Sequence, residues 1–318
     1  MSSSFEVTRV TEVEGTESNS IRISLKATLE GLVSGQLSAN TRRAYQQDAH
    51  QFVEWLATQE LLLTALTPND LKQYRRFLVD TYAPASAARK LIVARRLLEE
   101  AVERGLLSNN PARRVEGIEM EQETPHTALK PQQARQLLEA IDLSTNQGKR
   151  DYALLLLLLK TGIRRSECAA LSLGDLLEEQ GHYVLLIRHA KGNKRRKVKL
   201  AVEVRRAIDE YLAAVGRMEL EKSAPLFVQF RRGDHSQEKA VSDHLVQRVV
   251  ERYAEASELG LKLTPHSLRA TFVTLALEGG AKLQQVQYAV GHSDPRTTER
   301  YQTRKFNLDD NATDYVHF

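Results

Sequence analysis

Six leucines in succession, Leu154 to Leu159, place the tightest demand on the fold. A run this apolar has no polar face, so a helix carrying it must be buried on nearly every side. Asp151 and Lys160 bound it closely, which leaves it far too short to span a bilayer. The run therefore requires a helix enclosed by other elements of a core. At 318 residues the chain suits two such cores better than one, and its 42% hydrophobic content is an ordinary supply for them.

The organisation along the chain follows from periodicity and breakers. Residues 1–20 carry Glu6, Glu12, Glu14 and Glu17 against one arginine and read as a flexible tail, with at most a short strand around Phe5 to Val10. Nothing there reads as a signal peptide. Residues 21–115 form a helical unit. Ser38-Ala39-Asn40 starts a helix in which Tyr45, Ala49, Phe52, Val53 and Leu56 recur at helical spacing. Thr67-Pro68 starts the next, with Leu71, Tyr74, Phe77 and Leu78 inward, and Ser86 to Arg104 forms a third, ended by Gly105. The acidic, proline-containing segment 116–131 reads as a linker. Residues 132–318 form a second, mostly helical domain. Its helices are expected at Gln132–Ile141, Asp151–Thr161, Val202–Val215, Ser242–Ser257, Ser267–Glu278 and Leu283–Val290. Three strands are expected at Leu171–Leu176, Tyr183–His189 and Lys194–Leu200, joined through Glu178-Glu179-Gln180-Gly181 and Lys191-Gly192-Asn193. The fold class is thus mainly α, with a small antiparallel sheet in the second domain.

Composition excludes several classes. The net charge of +4 permits a nucleic-acid partner without establishing one. The single cysteine, Cys168, rules out an internal disulfide framework and suits a reducing cytoplasm. There is no Gly-Lys-Ser/Thr phosphate loop and no carboxylate cluster at metal-ligand spacing. Neither a metal nor another cofactor is expected, and no membrane partner.

Chemistry concentrates in four strings: Thr161-Gly162-Ile163-Arg164-Arg165-Ser166-Glu167, Thr264-Pro265-His266-Ser267-Leu268-Arg269, Val290-Gly291-His292-Ser293-Asp294 and Thr297-Thr298-Glu299-Arg300-Tyr301. Arginine offers planar donors for phosphate oxygens. Histidine exchanges protons near neutral pH. Tyrosine can attack phosphorus and hold it covalently, provided cations or a base activate its phenol. Taken together these groups suit a phosphodiester.

In this order and spacing they resemble the tyrosine recombinase (phage integrase) family, in its Xer-like branch. The resemblance implies a helical core-binding domain followed by a catalytic domain, and recombination through a 3′-phosphotyrosyl intermediate during DNA integration, excision or resolution. It assigns Arg164 and Arg269 to the scissile phosphate, His266 and His292 to hydrogen bonding and proton handling there, and Tyr301 to the nucleophile. Lys191, at the tip of the basic hairpin, becomes the acid for the 5′-oxygen, with Lys194 as the alternative. Glu167 braces the site without taking a chemical step. Arg42, Arg43, Arg89, Lys90, Arg95 and Arg96 on the helical domain, and Lys194, Arg195 and Arg196 on the hairpin, become DNA contacts. Double-stranded DNA with paired half-sites is the implied partner, bound by a dimer per site and a tetramer in synapsis, in the cytoplasm at the nucleoid. The chain departs from many members at Ala270 and Leu275, where histidines are common. Two rival readings stay open: a type IB topoisomerase with the same chemistry, and a DNA-binding architectural protein with an inactive site. The tail beyond Tyr301, from Phe306 to Phe318, either caps its own domain or docks onto a neighbouring protomer.

Overall fold

The computed structural model describes Gly31 and residues 39–119, 127–188, 195–231, 234–292 and 298. The chain divides into two compact units, Met1–Glu123 and Thr124–Phe318.

The first unit is helical throughout its described residues. Helix α1 (Ala39–Thr58) and helix α2 (Pro68–Thr81) both pack on α3 (Pro84–Glu103). Thr67 caps α2: its hydroxyl accepts from the Asp70 amide, Asp70 reaches back, and Pro68 sits where no amide donor is needed. Phe52, Trp55 and Tyr74 form the aromatic centre, with ring centroids 4.7 Å apart for Phe52–Tyr74 and 4.9 Å for Trp55–Tyr74. Leu71, Leu78, Leu91, Leu97 and Leu98 complete the core. Each fully buried leucine contributes on the order of 1.5–3 kcal/mol.

Both ends of the expected linker are held by their own unit. The Arg75 guanidinium donates to the carbonyls of Glu116 and Gly117. At the other end Leu129 is buried, and its amide donates to the Thr271 hydroxyl at 2.8 Å.

The second unit is built around the leucine helix. Helix α4 (Pro131–Glu139) precedes α5 (Asn146–Thr161), which starts at the Thr145 cap and buries all six leucines. Its neighbours are α4, the short α6 (Arg165–Ala169), α7 (Val202–Ala214), α8 (Asp243–Ala256) and α9 (Pro265–Glu278). Strands β1 (Leu176–Glu179), β2 (His182–Ile187) and β3 (Arg196–Lys199) form an antiparallel meander with β2 central. A further helix, α10 (Leu283–Val290), packs on α9 and β3.

The expected mainly helical architecture is found, with local corrections. Leu171–Leu176 is not a strand. Asp175 accepts from the amide and hydroxyl of Ser172, and this cap winds Leu173–Asp175 into a 3₁₀ turn. Strand β1 begins only at Leu176, and Glu178 and Glu179 belong to it. The turn itself is Gln180-Gly181, both at positive φ (51° and 74°), as a tight two-residue hairpin requires. A second sheet lies beyond what the sequence pattern predicts: β4 (Val228–Arg231) pairs antiparallel with β5 (His235–Ala240). The expected strand at Phe5–Val10 lies outside the described residues.

Candidate active site

Two glycines shape the centre of the second unit. Gly162 ends α5 at φ 59°, and a Cβ there would fall 2.5 Å from the Phe272 ring and 3.0 Å from Val290. Gly291 ends α10 at φ 66°, and a Cβ there would lie 3.0 Å from the Arg196 guanidinium. Positive φ and close neighbours favour glycine at both positions. Each turn leaves helix-end carbonyls without intrahelical partners.

Arginines take up those carbonyls. Arg269 lies on α9, whose start is fixed by the Thr264–Ser267 capping box and Pro265. It is 6% exposed and donates to the Gly162 carbonyl and the Val290 carbonyl, both at 2.7 Å. Arg164 caps α6; its guanidinium donates to the Gly291 carbonyl and to Glu167 Oε1, each at 2.9 Å. His266, at the start of α9, is exposed.

Glu167 is the anion beneath these cations. Arg196 grips it with two parallel bonds of 2.9 and 2.8 Å, and the Arg164 amide adds another at 2.8 Å. Burial alone would raise its carboxyl, yet the donors from Arg196 and Arg164 hold it below the usual carboxylate range. Arg164, Arg196 and Arg269 outnumber this one carboxylate, which leaves the site positive. His292 follows Gly291 directly, with Nδ1 2.8 Å from the Thr298 hydroxyl. Burial first, then the charges of Arg269, Arg164, His266 and Arg196, push its ring down to about 4, so it is neutral at physiological pH. Next to Glu167, the Cys168 thiol is buried and pushed up, which makes it inert. Among the described residues no group of His, Cys, Asp and Glu could hold a metal ion. No helix there is long and apolar enough to cross a membrane.

A cluster of arginines around a neutral histidine is what the second unit places between α5, α9 and α10. The model of the phage integrase family matches residues 127–307, and that of the phage integrase N-terminal SAM-like domain matches residues 29–105. The chain belongs to the phage integrase family. It is 30% identical over 281 residues to tyrosine recombinase XerD of Listeria innocua, a match covering 85% of this chain and 90% of that one. It is 33% identical over 270 residues to tyrosine recombinase XerC of Pelobacter propionicus, covering 83% and 85%. A lambda integrase dimer bound to a COC′ core site shares the fold with a TM-score of 0.70 at 16% identity, over 90% of this chain and 97% of that one. The recombinase XerH on a palindromic difH substrate gives 0.69 at 20% identity, over 92% and 87%. Tyrosine recombinases transfer DNA strands site-specifically, so the chain is an enzyme of that class.

Of the residues expected at the integrase site, Arg164, Glu167, Arg269 and His292 come together, and His266 is near enough for its charge to act on the His292 ring. Lys191, its alternative Lys194, and Tyr301 lie outside the described residues. The expected DNA contacts divide. Arg42, Arg43, Arg89, Arg96 and Arg195 are exposed. Arg96 lies over the Tyr45 ring, 5.7 Å from its centroid. Lys90 is not a surface residue: it is 5% exposed, and its ammonium bonds Asp48 at 2.9 Å and also reaches Gln51. Arg95 turns to the Val115 carbonyl. Arg196 is also inward, because the register pairs it with Ile187 on the face that carries Leu185 and Val198. Residue type alone puts it among the exposed hairpin cations. The signal that could have placed it is the strand phase, since Arg196 shares parity with Val198 and Leu200. Thr298, fully buried against His292, is a further site residue that the sequence pattern does not single out.

Proposed function

We propose that Arg164 and Arg269 clamp a scissile DNA phosphate and that Tyr301 attacks it. The observation that carries this reading is a pair of arginines fixed by helix-end carbonyls beside a neutral histidine. Donors held rigid before charge develops stabilise a pentavalent transition state most. His266, at the start of α9, adds a hydrogen bond to the phosphate. His292, neutral and tied through Nδ1 to Thr298, accepts from the phenol of Tyr301.

The phenolic oxygen forms the new bond to phosphorus as the bond to the 5′-oxygen breaks. Lys191 gives its proton to that oxygen, with Lys194 as the alternative. The products are a 3′-phosphotyrosyl bond and a free 5′-hydroxyl. A 5′-hydroxyl of a partner duplex then attacks, and the departing phenolate regains its proton. Phosphodiester bonds are conserved, so the sequence of steps needs no nucleotide triphosphate. Arg42, Arg43, Arg89, Arg96, Lys194 and Arg195 contact the duplex, positioning it on phosphates and reading base edges. Two protomers occupy paired half-sites and four assemble in synapsis at the nucleoid, for integration, excision or resolution.

Covalent capture of genomic DNA ends on the protein, with a strong chelator present, tests this. One recurrent site with two inverted half-sites, followed by strand exchange between two marked duplexes of it, is the expected result. Rejoining confined to the original strand would indicate a topoisomerase, and binding without any adduct an architectural protein.

A further inference from the structure

Strand β3 alternates inward and outward, and Arg196 is its first inward residue. Its guanidinium reaches two places at once. Two nitrogens grip Glu167, and Nε donates to the Ala289 carbonyl at 2.9 Å. Arg269 takes the next carbonyl, Val290, at 2.7 Å, and Arg164 the one after, Gly291, at 2.9 Å. Three successive carbonyls at the end of α10 are therefore each held by a different arginine, from β3, α9 and the cap of α6. These are the groups a helix end leaves unsatisfied, at its negative pole.

Apolar packing holds α10 through one small cluster. Its buried side chains, Val286 and Val290, join Val273 in a cluster separate from the main core, flanked by partly buried Phe272, Ala276, Leu277 and Ala281. Gly291 ends the helix, the polar clasp ties that end to β3, α9 and α6, and His292 follows it directly.

We infer that Arg196 is a positioning residue of the recombination site: by joining Glu167 to the end of α10, it holds His292 in register with Arg164 and Arg269. The inference rests on the proposed reading of those residues as the phosphate site. Gly291 is part of the same device, since any side chain there would press on the Arg196 guanidinium. Arg196→Lys keeps the charge but removes both the fork and the third donor direction.

The test uses the full chain with Arg196→Lys and, separately, Gly291→Ala. Single-turnover adduct formation is measured on a nicked duplex of the captured site, binding is measured on the same duplex, and the His292 ring is titrated by NMR without DNA. The ring is surrounded by Arg269, Arg164, His266 and Arg196, so displacing the helix end changes its burial and its field together. Expected are unchanged binding, adduct formation slower by about a hundredfold, as for a reacting group misplaced by about 1 Å, and a His292 midpoint moved upward. A wild-type adduct rate in Arg196→Lys with an unmoved His292 midpoint overturns the inference. If the wild type forms no adduct at all, the reading of the chemistry fails, and the His292 titration alone decides the clasp. If Arg196→Lys does not fold, the same measurements on Gly291→Ala decide between these outcomes.

Discussion

Asp48 in the first unit and Glu167 in the second are each buried beneath two cations, one turned inward and one turned out. Lys90 and Arg196 are the inward partners, each 6% exposed at the side chain. Arg89 and Arg164 are the outward ones, at 47% and 24%. Asp48 holds Arg89 edge-on through bonds of 2.7 and 3.1 Å, which orients its guanidinium as Glu167 orients that of Arg164. The difference lies in what else is held. Arg164 and Arg196 also bond the carbonyls at the end of α10, whereas the hydrogen bonds of the Asp48 cluster join α1 to α3. One device thus orients an outward cation; with added helix-end bonds it also fixes the arginines of the proposed phosphate site.

The largest expected effects come from removing the anions. Glu167→Ala and Asp48→Ala each leave two cations over a buried void, and each should lower unfolding stability by about 3–5 kcal/mol, read from urea midpoints. If one is tolerated and the other is not, the parallel breaks. Next come the clamp arginines. Arg164→Ala and Arg269→Ala should each cost about 3–4 kcal/mol in cleavage and far less in binding. Equal losses in both would make them general DNA contacts and erase the distinction between the clusters.

The outward and inward cations of the first unit should separate more gently. Arg89→Ala should weaken DNA binding and reduce the salt slope by about 1, with the cleavage rate at saturation retained. Lys90→Met should lower stability and leave the salt slope alone. A changed slope for Lys90→Met would return Lys90 to the DNA face. A further effect is a pH dependence belonging to the second unit. The His292 ring titrates at about 4 when folded against 6.5 ordinarily, so the unfolded chain takes up its proton first. Stability present above pH 6.5 should fall as pH drops towards 4, and His292→Gln should flatten that slope. Glu167, held low, adds a loss of the same sign at lower pH as its carboxylate is protonated.

Much of the fold is legible in the sequence because its signals are local. The six leucines demand an enclosed helix, and α5 is one. Leu283–Val290 forms a helix at its predicted bounds, and α9 is found where expected, although its Thr264 cap and Pro265 start it two residues ahead of the expected Ser267. Residue type does not reveal which arginines and lysines point inward. Asp48 meets Lys90 across 42 residues, and Arg196 meets Glu167 across 29. Such pairings are made by tertiary packing; the strand phase marks Arg196 as inward but does not name its partner, and nothing periodic marks the Asp48–Lys90 pair. Strand β5, His-Ser-Gln-Glu-Lys-Ala, lacks the apolar alternation that marks a half-buried strand, so it too is invisible in the pattern. Leu171–Leu176 errs the other way: apolar content suggests a strand, and the Ser172–Asp175 cap decides for a turn.

The proposed chemistry attaches DNA covalently to Tyr301. Peptide mapping of the protein–DNA adduct by mass spectrometry reads that attachment directly, with Tyr301→Phe run alongside. Another tyrosine of the second unit, Tyr288, is 61% exposed on α10 just ahead of Gly291 and His292, and provides a demanding control. The expected result is the nucleotide on Tyr301 alone, and no adduct from Tyr301→Phe although it binds the same DNA. An adduct that persists in Tyr301→Phe, or that maps to Tyr288, would contradict the proposed chemistry.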